Sequence, residues 1–249
     1  MLVLRRILAV LVFAILSLAA VAQNLPSAPP SSPASQQQTE DEIRKQEESQ
    51  RGFGVLPMFA VTSRRNAPPL TPRQKFRLFS KSAFDPFVFA EVGIQAGISQ
   101  AQNSFPDYGQ GAAGFARRYG AALGDSVSSN FFSNFAWPVL LKQDPRYFRS
   151  GQGSIKRRIA YSLAQVFVAH TDKGGRSINF SNILGAASAG GVSNLYYPES
   201  DRGFTLTMTR AGIALIYGSL GGLLNEFWPD IQRRFRKRPK PQTAPTPAP

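Results

Sequence analysis

Residues 144–149 read Asp-Pro-Arg-Tyr-Phe-Arg and form the most distinctive polar element of the chain. Arginine grips phosphate or carboxylate through a planar fork of donors, and tyrosine beside phenylalanine suits a bilayer interface. Arg146, Tyr147 and Arg149 are therefore the candidate contacts to an anion or a lipid head group. A structural reading competes with this one: Asp144 caps the next turn while the arginines are solvated or pair with Asp125 or Asp172.

The remaining chemistry is sparse. His170 is the single histidine and stands in His-Thr-Asp before a Gly-Gly turn. Within one helix, Asp172 is badly spaced to orient it as a triad acid, and no Gly-x-Ser-x-Gly elbow supplies a nucleophile. A helix-end histidine meeting terminal carbonyls explains it better than catalysis. One histidine and no cysteine exclude the usual zinc ligand sets, and neither a phosphate-binding P-loop nor a dinucleotide fingerprint is present. No metal and no cofactor are expected. An acid phosphatase of the membrane type resembles the chain only in being helical and rich in arginine. Its Pro-Ser-Gly-His motif and second histidine are missing, so a nucleophile is lacking.

The elements that position these residues begin with export. Residues 1–22 carry Arg5 and Arg6 before an apolar run that ends in Ala-Val-Ala, the pattern of a secretory signal peptide; the run is too short for a good span. Residues 23–51, rich in Pro, Ser, Gln and Glu, cannot bury enough apolar surface to offset ordering and are expected to form a disordered tether. The net charge is +14, and Glu40, Asp41, Glu42, Glu47 and Glu48 concentrate five of the fifteen acids in that tether. The rest is correspondingly more basic. Export removes nucleic acid as a partner and leaves anionic membrane surface or lipid head groups. The absence of cysteine leaves stability to packing or to a bilayer.

Thr71-Pro72 and Asp85-Pro86 are helix starts, a cap followed by proline, for helices over residues 72–83 and 87–102. Ser154 caps a helix expected over 155–171. An uncharged run covers 177–197, and a last helix runs over 205–227 to end near Trp228-Pro229. Pro138 should kink or split the helix in the uncharged run 126–141. Small residues recur at four-residue spacing, giving smooth faces that let another backbone approach. Gly93 and Gly97, Gly120 and Gly124, Gly185 and Gly190, and Gly218 and Gly222 carry these faces and are the candidate helix-packing positions, with self-association as a further use.

No alternation persists long enough for a sheet, and the ten-residue alternating segments of a transmembrane barrel are missing. The expectation is an all-α bundle of about five to seven helices over residues 52–238, followed by a disordered Pro-rich tail over 239–249. The motifs GFGVLP (52–57), FDPFVF (84–89), GFARRYGAALGD (114–125), DPRYFRSGQGS (144–154) and SNLYYP (193–198) together resemble a family of uncharacterised exported bacterial envelope proteins. That resemblance would span most of the chain after the tether; it supports one domain and implies no activity. The leading functional expectation is a non-enzymatic protein of the periplasm or cell-envelope membrane, held there by basic and aromatic surfaces. The alternative is an enzyme or binding protein that acts on an anionic lipid or glycan through the arginine loop.

Overall fold

Local signals start most of the helices. Thr71 and Gln74 exchange hydrogen bonds in a capping box that opens α1, Pro72–Ala83, and the Asp85 side chain accepts from Phe87 N to open α2, Pro86–Ala101. Each such cap contributes about 1 kcal/mol. Ser154 caps α5, Ile155–Ala164, and Asn179 caps α6, Phe180–Ser193. Between α2 and α5 lies α3, Gly111–Phe131. It widens into a π-turn over Phe132–Ala136 and re-forms as α4, Trp137–Leu140. Pro138 has no N–H for an i−4 carbonyl, and the wide turn just before it absorbs that break. The last helix, α7, runs over Phe204–Phe235 with Pro229 inside it.

These elements come from a computed structural model that describes residues 60–62 and 67–235. The expected signal peptide, tether and Pro-rich tail, and residues 52–59, lie outside the described residues. Within them the fold is mostly all-α, a helical bundle as expected. In it α6 packs on α7, α2 on α3, α3 on α6 and α5 on α7.

Two expectations are corrected. The helix over 155–171 stops at Ala164, and Val168–Thr171 is instead a strand, β4. It pairs antiparallel with β2 (Gln143–Asp144) and with β5 (Arg176–Ile178), so that His170 lies opposite Asp144. A second small sheet joins β1 (Val61–Thr62) in parallel to β3 (Tyr147–Phe148). The other correction is α7, which continues through Pro229 where an end was expected.

The core is split. Phe79, Ala83, Phe131, Phe135 and Ala136 form one cluster under α1, with Phe79 and Phe131 edge to face at 5.4 Å. Tyr108, Ala121 and Tyr197 form another. Near the second cluster Arg118, 2% exposed, spends its guanidinium on chain turns: it donates to the carbonyls of Ser104, Phe105 and Gly109 and to Gln100 Oε1. These bonds hold the loop before α3, where Asn103 and Phe105 take left-handed φ values of 50° and 57°.

Most of the small-residue faces are contacts. A Cβ on Gly190 would lie 2.6 Å from the Thr207 carbonyl, one on Gly222 3.1 Å from that of Ser162, and one on Gly124 3.0 Å from the Tyr196 ring. Gly185 abuts Ser133 backbone, and Gly93 faces the Tyr119 ring at 3.8 Å. Gly97 and Gly120 are corrected: a Cβ at either meets nothing within 4 Å. Gly218 touches only Val166, at 4.0 Å. Gly114, outside the expected set, is pressed against the Gly109 carbonyl.

Candidate functional site

The arginine loop leaves β2, passes through β3 and crosses α7. Its first half closes on itself. Asp144 Oδ1 accepts from Arg146 N at 3.0 Å, and the Arg146 guanidinium grips the same carboxylate with Nε to Oδ1 at 2.9 Å and Nη2 to Oδ2 at 2.6 Å. Arg146 Nη2 also donates to the Pro68 carbonyl. The tight Asx turn that Asp-Pro-Arg favours therefore ends in a forked ion pair.

The second half is nailed to α7 by Glu226, which is 0% exposed. Its Oε1 accepts from Arg158 Nε at 2.7 Å and from Gly151 N at 2.9 Å, and its Oε2 from the Tyr147 hydroxyl and Ser150 N, both at 3.0 Å. One turn further on, Asp230 accepts from Arg149 at 2.8 Å and from Arg158 at 2.6 Å. Both guanidinium groups also donate to the Glu226 backbone carbonyl. The carbonyl that Pro229 leaves without a helix donor is that of Asn225, one residue earlier. Burial alone would raise the Glu226 carboxyl. The bonds from Arg158, Gly151, Ser150 and Tyr147 outweigh it and hold the carboxyl below its usual range. The charges of Arg149 and Arg158 are matched by Glu226 and Asp230.

Arg146, Tyr147 and Arg149 all point at acids of the same chain, Arg146 within the loop and the other two at α7. Their partners are Asp144, Glu226 and Asp230, whereas Asp125 holds Ser193, Tyr196, Tyr197 and Arg210, and Asp172 holds Lys75. Sequence reasoning missed Glu226. The available signal was an acid that closes the uncharged run 211–225 of α7, with Asp230 one turn further on.

His170 is on a strand and not at a helix end, with its ring stacked on Phe148 at 3.7 Å between centroids. Among the described residues its buried Nδ1 has no hydrogen-bond partner. Burial, with Arg176 and Arg146 against a weaker pull from Asp144, holds the imidazole below its usual 6.5. As pH falls below 6.5 the unfolded chain takes up this proton first, so stability declines until the folded imidazole also protonates. Urea unfolding from about pH 7.5 to about pH 5 should show that decline in the parent and lose it in His170→Gln. Parallel stability curves for the two proteins would refute it.

Behind the loop, Asp144, Arg146 and Tyr147 form one wall of a half-enclosed cavity of about 290 Å³. The π-turn supplies Ser133 and Asn134, the end of α5 supplies Ser162 and Gln165, α6 supplies Ser181 and Asn182, and α7 supplies Gly218, Gly221, Gly222 and Asn225. Among the described residues no group of three His, Cys, Asp or Glu side chains is placed to hold a metal ion. Comparison with known proteins returns no matching family model, no matching curated protein and no matching solved structure.

Proposed function

We propose that the chain is a non-enzymatic exported envelope protein whose helical domain rests on an anionic membrane surface. The observation that carries this reading is the outer face of α7. Ile213, Ile216, Tyr217, Leu220, Leu224 and Ile231 are all exposed there, Ile216 to 62% and Tyr217 to 60%. They recur at helical spacing on the side opposite Gly222 and Glu226, over a length of about 27 Å at 1.5 Å per residue. Such a stripe is larger than the scattered apolar residues of an ordinary surface.

Cations accompany it, which favours lipid over another apolar protein face. Arg233 and Arg234 lie exposed at the end of α7. On α5, packed beside α7, Lys156 and Arg157 alternate with exposed Ile155 and Ile159. No helix among the described residues is long and apolar enough to cross a membrane. A helix with one apolar face and basic residues at its margins lies in the interface plane. The resemblance to exported envelope proteins belongs to the same proposal. The alternative, recognition of one anionic lipid or glycan group by Arg146 and Arg149, has less support, because both guanidinium groups are already matched by carboxylates.

The test is flotation of protein purified from the envelope fraction, whose intact mass should lack the first 22 residues expected as the signal. It should rise with phosphatidylglycerol vesicles and much less with phosphatidylcholine. Ile216→Ser with Leu220→Ser should melt like the parent and bind about ten-fold or more weakly, each side chain contributing roughly 1 kcal/mol of partial burial. Undiminished flotation of the double variant would end the proposal, and a lipid-independent dimer lost in that variant would assign the stripe to self-association instead.

A further inference from the structure

The cavity behind the loop has a chemical character that the membrane reading does not use. Among the described residues that line it, the only formal charges, Asp144 and Arg146, are spent on each other. The remaining polar groups are amides and hydroxyls, and several have bonding capacity to spare. Among the described residues nothing engages the side-chain amides of Gln165 or Asn225. Asn134 donates to Asn130 and Asn182 donates to the Val166 carbonyl, and among the described residues no donor reaches the side-chain oxygen of either. Donors and acceptors therefore lie side by side with no unbalanced charge.

The floor is bare backbone. A Cβ on Gly221 would meet nothing within 4 Å, and one on Gly218 only Val166 at 4.0 Å, although both residues line the cavity. One turn of α7 is thus open where an ordinary side chain would fill the space. Gly222, on the next position, is in true helix contact with Ser162 at 3.1 Å. The glycine face of α7 does two jobs, and only Gly222 is fixed by packing. The π-turn that brings Ser133 and Asn134 to the rim is itself a local distortion of the kind found at functional sites.

We propose that this cavity binds an uncharged, polyhydroxylated ring of monosaccharide to disaccharide size. A hydroxyl both donates and accepts, which matches a wall of amides with both ends available. An anion would need a free cation, and among the described lining residues the one cation, Arg146, is paired with Asp144. An apolar ligand would strand the amides without partners at a cost of about 1–3 kcal/mol each. The volume lies at the low end of ligand pockets, which run from roughly 300 to 1,000 Å³, and it has room for several waters. Those waters are what the ring displaces, with its own hydroxyls taking over their bonds. The proposal does not rest on the membrane reading.

The test uses the full chain and a panel of neutral sugars: glucose, galactose, mannose, N-acetylglucosamine, maltose and lactose, with inorganic phosphate as the anion control. Saturation-transfer NMR should give transfer to the ring protons of at least one sugar and none attributable to phosphate competition. Asn225 and Gln165 side-chain amide resonances should shift in the same titration. Gly221→Leu, which fills the open floor, should remove the signal with an unchanged melting temperature, and Asn225→Ala should weaken binding several-fold. Vesicles carrying a neutral glycolipid, compared with the free sugar, distinguish a membrane-borne source from a soluble one. Absence of transfer to every sugar of the panel at tens of millimolar, retention of binding by Gly221→Leu, or displacement of the sugar by phosphate would each overturn the assignment.

Discussion

Glu226→Leu is expected to lower the unfolding free energy by about 3–5 kcal/mol, the usual cost of leaving a buried charge without its partner. Glu226 is 0% exposed, while Arg149 and Arg158 are 7% and 9% exposed, so removal of the carboxylate leaves two guanidinium groups facing only Asp230 and one backbone carbonyl. Four donors lose their acceptor at once: Gly151 N, Ser150 N, the Tyr147 hydroxyl and Arg158 Nε. The pH dependence has a definite sign. The folded carboxyl is held below its usual 4.5, so its contribution is fully present above that value and is lost as pH falls through the folded value. Urea titration of parent and variant at neutral pH measures the cost. A double-mutant cycle with Arg158→Met should give a coupling on the order of 1 kcal/mol or more, since the two residues share one network. A loss below about 1 kcal/mol for Glu226→Leu would mean that the network is a surface ornament, as exposed ion pairs often are.

Gly190→Leu should cost about 1–3 kcal/mol or more, because even its Cβ would press within 2.6 Å of the Thr207 carbonyl and backbone cannot swing aside as a side chain can. Gly97→Leu is the matched control. Its Cβ meets nothing within 4 Å, so the change should be neutral or stabilising by up to about 1 kcal/mol, the helix penalty that glycine carries. Both glycines lie inside helices and belong to the same small-residue pattern. Thermal unfolding of the pair separates contact from mere composition. Equal melting shifts in the two variants would show that the α6–α7 approach at Gly190 is looser than its geometry.

That pair also shows how far the sequence could be read. Four-residue spacing of small side chains announces a smooth face, and at Gly185, Gly190 and Gly222 the face meets another element. It does not announce where the face ends, which is why Gly97 and Gly120 were expected to be contacts and are open. The helix starts at Thr71, Asp85 and Ser154 were legible because cap and helix are local. Strand β4 was not, because Gln143–Asp144 and Arg176–Ile178 pair with it only after the chain has turned. Nor was the passage of α7 through Pro229: the guanidinium groups that hold this part of the helix at the Glu226 carbonyl come from Arg149, 77 residues away, and Arg158, 68 residues away.

The candidate site followed the same division. Arg146, Tyr147 and Arg149 drew notice through their types, but what they do is set by carboxylates that the local sequence does not show beside two of them. The cavity was half visible. Asn182 lies in the uncharged run 177–197, and Ser133 and Asn134 are two polar residues in the uncharged run 126–141. Their convergence with Asn225 depends on the π-turn and on the bare turn of α7, and neither follows from composition.

Parallel pairing of β1 with β3 determines how the domain answers a pull. Residues 60–62 join β3 through backbone bonds that include Tyr147 N to the Ala60 carbonyl at 2.7 Å and Arg149 N to the Thr62 carbonyl at 2.8 Å. A force drawn along the axis of β1 loads both in shear, so they must fail together and not peel one after the other. The strand that resists is also the strand whose side chains clasp α7: Tyr147 is tied to Glu226, and Arg149, just past its end, to Asp230. Tension arriving from the N-terminal side is therefore handed through two residues to the longest helix of the domain, which makes this short parallel ribbon its mechanical anchor.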